Sequence, residues 1–512
     1  MSSPTAEESA KALEFKNEGN VFIKDKQYTE AMEQYNKAIE LDATQSIYFS
    51  NRALAHLKLD NFQSSLNDCN DALRLNPKNI KACHRRGLAY VGLLEFKKAK
   101  IDLTDLLKAK PSDVTAVNAL KLCERFIREE RFRKAIGGSD NEQQNFCQTV
   151  NLASFDANAD LAKYAGPTLE MEQLIDEKGM PVGAEIKNMS QKFISQLVND
   201  IFLQGKTIPK KYAAAIISHA DRIFRSEPAL VELSNVDTKD VKISVCGDTH
   251  GQFYDVLNIF NKFGKVGSTH TYLFNGDFVD RGSWSCEVAL FYYCLKILYP
   301  QNIYLNRGNH ETNNMNKIYG FEDECKYKYS QRIFDMFAQS FESLPLATMI
   351  NNDYLVMYGG LPSDKGSTLE DIKKIDRFNQ PPREGLFMEL LWSDPQEANG
   401  LGPSQRGLGF AFGPDITADY LNRNGLKKVF RSHEVRMGGI KYEHNGKLVT
   451  VFSAPNYCDS QGNMGGIIHI VPGEGVLLQN GNDDENLIVE TFEAVEHPNI
   501  KPMAYSNGGL GF

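Results

Sequence analysis

Three short runs of this sequence end alike. Ile243-Ser-Val-Cys-Gly-Asp-Thr-His-Gly251, Tyr272-Leu-Phe-Asn-Gly-Asp-Phe-Val-Asp-Arg-Gly282 and Ile303-Tyr-Leu-Asn-Arg-Gly-Asn-His-Glu311 each carry an apolar, strand-like stretch into a glycine and then a metal-ligating side chain. Asp248 and His250 follow the first stretch, Asp277 the second and Asn309 the third, and Lys428-Val-Phe-Arg-Ser-His-Glu434 adds His433 by the same device. Carboxylate, amide and imidazole donors suit manganese, iron or zinc, and no thiolate set accompanies them. One acid shared between two ions holds a pair about 3.5–4 Å apart, which lowers the pKa of water and neutralises a phosphate for in-line attack. Each residue alone has a plainer reading: Asp248 as a turn residue, His433 as a satisfied core histidine. A lone Gly-Asp-x-His is weak evidence; the three motifs in this order are strong evidence.

Such residues need an edge on which to meet. In α/β folds, loops after strand C-termini gather on one side of the sheet. From about residue 185 strand-like runs alternate with helical periods such as Ser283 to Leu298 and Tyr327 to Leu344, which predicts an α/β domain.

The front of the chain follows another rule. Gly19, Ala53 and Gly87 stand 34 residues apart, as do Ala31, Ser65 and Ala99, Ala38 and Ala72, and Pro77 and Pro111. Small residues at a fixed phase let paired helices cross closely, and proline ends each unit. This period predicts an all-α tetratricopeptide solenoid of three repeats (9–45, 46–79 and 80–113) behind a short tail, residues 1–8. Its frame places Lys16, Asn20, Asn51, Lys81 and Arg85 on the concave face. Two amides and three cations converging there suit a peptide carboxylate. Residues 116–185 read as a charged capping helix followed by a polar linker at Gly137 to Asn145.

Composition narrows the class. The chain has 512 residues and a formal net charge of -9, from 57 basic and 66 acidic residues. That balance argues against a general nucleic-acid binder. Nine scattered cysteines without a Cys-x-x-Cys pair read as reduced thiols, and neither a secretory signal nor an apolar run near ~20 residues is evident. A cytoplasmic and nuclear protein, away from membranes and monomeric, is the expectation.

The three strand-end motifs resemble the phosphoprotein phosphatases, the two-metal serine/threonine protein phosphatases. The resemblance continues through Leu390-Leu-Trp-Ser-Asp-Pro395, Arg406-Gly-Leu-Gly-Phe-Ala-Phe-Gly413, Arg431-Ser-His-Glu434 and Phe452-Ser-Ala-Pro-Asn-Tyr-Cys458. With three tetratricopeptide repeats in front, the chain is similar to the type 5 branch of that family in its fungal form. The resemblance implies a catalytic domain at 186–490, a central β-sandwich flanked by helices, and a C-terminal tail at 491–512 that assists autoinhibition. It implies two divalent ions, manganese first, with iron, zinc or magnesium as alternatives. Asp248, His250 and Asp277 would hold one ion, and Asp277, Asn309 and His433 the other. A hydroxide held by both ions would attack phosphoserine or phosphothreonine directly. Arg281 and Arg406 would grip the phosphate, together with Asn309, His310 and Tyr457. His310 would protonate the leaving oxygen, oriented by Asp280. The five concave-face residues match the carboxylate clamp of modules that grip the C-terminal Glu-Glu-Val-Asp of the ninety-kilodalton and seventy-kilodalton heat-shock chaperones. Recruitment to those chaperones, and activation by them, would follow.

One position departs from the family pattern. A further ligand histidine is expected before Gly359-Gly360, and the sequence reads Leu355-Val-Met-Tyr-Gly-Gly-Leu361. Tyr358 is a poor ligand while neutral, with a reference pKa near 10. Ligation as tyrosinate, water in its stead, or loss of the second ion stay open, and with the last goes a scaffold whose phosphatase fold is weak or inactive.

Overall fold

A computed structural model describes residues 4–135, 145–155, 161, 163–233, 241–471 and 487–506. It divides into two compact units, one of residues 1–143, 403–409 and 507–512, the other of 144–402 and 410–506. The linker expected at Gly137 to Asn145 lies outside the described residues except for Asn145, as does the end of the tail at 507–512.

The first unit is a run of helices: α1 Ala6–Lys24, α2 Tyr28–Leu41, α3 Ser46–Lys58, α4 Phe62–Leu75, α5 Ile80–Gly92, α6 Phe96–Ala109 and α7 Val114–Ala135. The small residues named above are all buried, and a Cβ on Gly19 would stand 2.6 Å from the Tyr35 ring. Close helix crossing is therefore why the 34-residue spacing is kept. The hairpin turns repeat too, since Lys26, Asp60 and Leu94 all take left-handed backbone, with φ 61, 56 and 58°. α1 begins inside the stretch expected as tail, because Thr5 caps it: Glu8 N–H donates to Thr5 Oγ1 and the Glu8 carboxylate accepts the Thr5 N–H. α7 starts 34 residues after α5 and so continues the phase of the repeats.

The second unit starts earlier than residue 186. The strands β1 Met171–Ile175 and β2 Pro181–Ile186 form an antiparallel hairpin in the stretch expected as linker. The hairpin is held by polar groups of that unit: Ala184 N–H donates to Ser218 Oγ, and the Gln173 amide donates to Val150 O and Gly183 O. Such long-range partners leave no periodic trace in the sequence.

Next come β3 Leu230–Leu233, β4 Lys242–Cys246, β5 His270–Asn275, β6 Ile303–Asn306, β7 Ala347–Ile350 and β8 Tyr354–Met357. Two short strands, β9 Asp394–Pro395 and, beyond Leu401–Pro403 (β10), β11 Phe410–Phe412, pair in parallel. The remainder are β12 Lys428–Arg431, β13 Ile440–Glu443, β14 Leu448–Val451, β15 Gly465–Ile470 and β16 Leu487–Phe492. One sheet has the order β13-β14-β12-β8-β7-β3 and the other β16-β15-β4-β5-β6. They form a sandwich, because Val245, Leu273 and Ile468 of one sheet share a buried cluster with Val356, Phe430 and Val449 of the other. Alternate residues Cys246, Tyr272 and Phe274 face the opposite way, into a helical layer that includes Ser285–Leu298. The helical period read at Tyr327 to Leu344 is split: one helix is Phe321–Lys328, and Ser330 caps the next, Gln331–Glu342. β4, β5 and β6 run parallel, as do β8 and β12, so these strands deliver their following loops to a common edge within each sheet. All nine cysteines are free. Among the described residues no helix is long and apolar enough to cross a membrane.

Candidate active site

The site is built by backbone that side-chained residues adopt reluctantly. His250, Asp277, Asp280, Arg281 and His433 all have φ between 39 and 72°, a cluster of left-handed conformations that costs energy and survives only where surrounding structure enforces it. The enforcement is visible. Thr249 and His250 N–H donate to Asp277 O, Gly251 N–H to Phe278 O and Gly282 N–H to His250 O, which zips the first two loops together. The fully buried Glu311 carboxylate accepts N–H groups from Asp277, Phe278 and Gly308 at 2.8, 3.0 and 2.9 Å, tying the second loop to the third. Gly276 has φ 85°, and a Cβ there would stand 2.6 Å from the Tyr358 ring and 2.7 Å from Gly308 Cα. Only glycine fits.

Within this frame the predicted donors converge. His250 Nδ1 bonds Val279 O at 3.0 Å, which makes Nδ1 the protonated nitrogen and leaves Nε2 to bind. That Nε2 is 3.6 Å from Asp248 Oδ2 and 3.6 Å from Asp277 Oδ2. The His310 backbone N–H donates to Asp277 Oδ1 and the His433 N–H to Asp248 Oδ1, so both acids are held by their inner oxygens. His433 Nδ1 lies 3.1 Å from Asp394 Oδ1. Donor atoms of His250, Asp277 and His310 all fall within 4.8 Å of one another. Burial, then the charges of Glu311 and Asp248, push the Asp277 carboxyl far above its usual range. Burial opposes ionisation of Asp248 as well, but neighbouring His250 and the His433 N–H leave it below that range.

The catalytic candidates form a second layer. His310 Nδ1 stands 2.8 Å from Asp280 Oδ2, and its Nε2 points toward Asp277 Oδ2 at 3.8 Å. Asp280, pushed up to about 7 by burial, also accepts from Phe321 N–H and Asn316 Nδ2. The Arg281 guanidinium lies over the Tyr319 ring at 4.0 Å from its centroid, and the Tyr457 ring is 5.0 Å from that of His250. Arg406 belongs to the 403–409 segment, which groups with the first unit, and its backbone N–H donates to Ser404 Oγ at 3.1 Å.

Tyr358 is fully buried among these donors. Its hydroxyl, with one proton to give, lies between Asp248 Oδ2, at 2.9 Å, and Asp277 Oδ2 and is within bonding distance of both. With its amide turned to donate, Asn309 N lies 3.2 Å from that hydroxyl and 3.1 Å from Asp277 Oδ2. Burial and the charges of Asp248 and Asp277 drive the phenol well above its ordinary pKa. His250 Nε2, facing the outer oxygens of Asp248 and Asp277 at 3.6 Å each, fits one cation there, and the phenol meets those same two oxygens from another side. At the set Asp277, Asn309 and His433, the phenol stands among the ligands.

In the first unit, Asn20 Oδ1 accepts from Tyr35 Oη at 2.8 Å and Asn51 Nδ2 at 2.9 Å, and Arg85 donates to Ser50 O. Lys16 precedes Asn20, and Lys81 precedes Arg85, by one helical turn, which puts each pair on one face. Several supports of the site carry no signal of their own in the sequence. Glu311, Arg431 and Asp394 stand inside the quoted motifs, and their burial or role between loops was the missing information. Arg431 is fully buried and donates to Gly359 O, Glu434 and Asp394. Asn316, bonded to Asp280 and to His310 O, has no motif to announce it.

Comparison with known proteins agrees with this geometry. The Calcineurin-like phosphoesterase family matches residues 241–437, the PPP5 TPR repeat region 120–232 and the TPR repeat 19–60. The chain is 74% identical over 512 residues to serine/threonine-protein phosphatase T of Saccharomyces cerevisiae, covering 100% of both. It is 43% identical to serine/threonine-protein phosphatase 5 of Homo sapiens over 75% of this chain and 71% of that one. A solved structure of a Saccharomyces cerevisiae serine/threonine phosphatase with similarity to human phosphatase PP5 matches with TM-score 0.61 and 77% identity, covering 62% of this chain and 100% of that one. With tetratricopeptide helices ahead of a metallophosphatase sandwich, the chain belongs to the type 5 serine/threonine-protein phosphatases.

Proposed function

We propose that this phosphatase hydrolyses phosphoserine and phosphothreonine in proteins, with His310 as general acid and manganese as the preferred cation. The observation that carries the reading is the His310–Asp280 pair, bonded at 2.8 Å beside the His250 and Asp277 donors. Divalent cations, when bound, lower the pKa of water and neutralise phosphate charge. The residues supply the rest. His250 presents Nε2, and Asp248 and Asp277 present their outer oxygens. Arg281, steadied over Tyr319, offers a planar fork of donors to phosphate oxygens, and Arg406 is a second candidate for that task. His310, protonated and facing Asp280, gives its Nε2 proton to the departing serine or threonine oxygen, and Asp280 compensates the imidazolium charge. Tyr457 contributes a hydroxyl near the phosphate.

The concave face of the repeats takes an acidic C-terminal peptide. Asn51 donates to Asn20, and Arg85 donates to Ser50 O, next to Asn51 in the chain, with Lys16 and Lys81 one turn from Asn20 and Arg85. A heat-shock chaperone ending in Glu-Glu-Val-Asp supplies that chemistry, and its binding shifts the enzyme toward an active population. Manganese-supported release of phosphate from a phosphoserine peptide, compared with cleavage of a dinucleotide, tests the substrate class. Faster dinucleotide cleavage would sink the protein-phosphatase reading. A second reading, a chaperone-bound scaffold with a weak phosphatase centre, is favoured by one observation: the Tyr358 hydroxyl bonded to Asp248 and Asp277.

A further inference from the structure

Tyr358 differs from an imidazole in reach and in what its tip offers. The ring extends beyond the position where a ligand nitrogen would stop, and it ends in a proton donor. Its hydroxyl oxygen contacts Asp248 Oδ2, Asp277 Oδ2 and the Asn309 amide together. A carboxylate has about four lone-pair positions on its two oxygens. On Asp277, Oδ1 already accepts the His310 N–H at 2.8 Å, and Oδ2 faces His250 Nε2 at 3.6 Å. The Tyr358 hydroxyl takes the remaining side of Oδ2. A second cation drawing on that oxygen would have to displace the hydroxyl, which also faces Asp248 and Asn309.

The ring has no room to withdraw. It is fully buried, its Cδ2 lies where any Cβ on Gly276 would strike it, and its centroid is 5.1 Å from that of His433. The following Gly359 is equally confined, since a Cβ there would stand 2.6 Å from Leu391 and Trp392 backbone atoms. Moving the hydroxyl out of the donor cluster would therefore require moving the β8 loop or the glycine turn.

We propose that the Tyr358 hydroxyl takes the place of the second cation, so that this chain holds one divalent ion tightly, at Asp248, His250 and Asp277. The inference rests on the metallophosphatase reading given above and specifies its metal content. Position 358 then sets stoichiometry: tyrosine admits one ion and histidine two.

Manganese titration calorimetry and elemental analysis after dialysis, on the full chain and on Tyr358→His and Tyr358→Phe, test it. The native chain is expected to retain one ion, with any second bound more than about tenfold more weakly than in Tyr358→His, the scale on which ligand-shell changes act. Tyr358→Phe keeps the ring and frees the Asp277 oxygen, so its second affinity should exceed the native one. Thermal melts establish that each variant is folded, and if the histidine chain fails to fold, the native stoichiometry and the phenylalanine variant still decide. Two equally tight ions in the native chain overturn the proposal. So does a visible charge-transfer band in the ferric form that disappears in Tyr358→Phe, because it would make the phenol a ligand. Peptide hydrolysis is recorded separately: a histidine variant that binds two ions and releases no phosphate overturns the phosphatase reading alone, and a hydrolysing native chain with two tight ions overturns this inference alone.

Discussion

His310 and Asp280 are bonded Nδ1 to Oδ2 at 2.8 Å, and the Asp280 carboxylate is completed by the Phe321 N–H and the Asn316 amide. The pair is thus held from three sides. Asp280→Asn should lower kcat on a phosphoserine peptide by about 10²–10⁴-fold with little change in KM, the range general acid catalysis supplies. On p-nitrophenyl phosphate, whose leaving group needs no proton, the loss should be smaller. Equal losses on the two substrates would count against the acid role.

Glu311 is a structural clamp for the ligand loops. Its buried carboxylate serves three backbone N–H groups, and Glu311→Gln replaces one acceptor oxygen with a donor that faces donors. A stability loss of about 1–3 kcal/mol is expected from the buried group left unpaired, measured by urea unfolding. Manganese affinity should fall with it, because Asp277 takes its place from that N–H. A variant as stable as the native chain would show that the loops hold without the clamp.

Arg85 carries the most constrained charge of the proposed peptide groove. Arg85→Ala should weaken a fluorescent peptide ending in Glu-Glu-Val-Asp by about tenfold or more, the worth of a charged hydrogen bond. The same peptide with an amidated C-terminus should bind the native chain poorly. Tight binding of the amide would remove the carboxylate from the recognition.

Two buried histidines predict acid sensitivity. Ser244 Oγ bonds His270 Nε2 and His469 Nδ1, each at 2.7 Å, and burial followed by the Lys242 charge lowers their pKa values to about 4 and about 3. Glu490 lies 3.0 Å from His469 Nε2, but it is half exposed, and water weakens its pull. Since both pKa values lie below the unfolded 6.5, the unfolded chain binds more protons, and stability falls as pH drops from about 6.5 toward 4. Melting temperature should fall less steeply toward acid pH in His469→Phe than in the native chain, a difference that cancels the opposing buried acids Asp255 and Asp280. Identical slopes in the two chains over that window would refute the assignment.

Much of the molecule was legible in residue spacing. The 34-residue phase of Gly19, Ala53 and Gly87 marks helix crossings because only a small side chain fits there, and that condition is local. The strand–glycine–donor runs are local as well: an apolar strand must end before a polar loop can turn, and the turn needs glycine. So Asp248, His250, Asp277, Asn309 and His433 could be named before any coordinates.

The tertiary structure decided what spacing does not encode. The β1–β2 hairpin lies in a stretch that reads as linker, since its partners Ser218 and Val150 are remote in sequence. Asn316 and Glu311 became supports only when long-range packing brought them to Asp280 and to three N–H groups. Tyr358 divides the two cases most clearly. Sequence alone determined that a phenol stands where the family has an imidazole. Only the packed sandwich placed its hydroxyl against Asp248 and Asp277, because β8 belongs to one sheet and β4 and β5 to the other, and their loops meet beyond the reach of any periodic pattern.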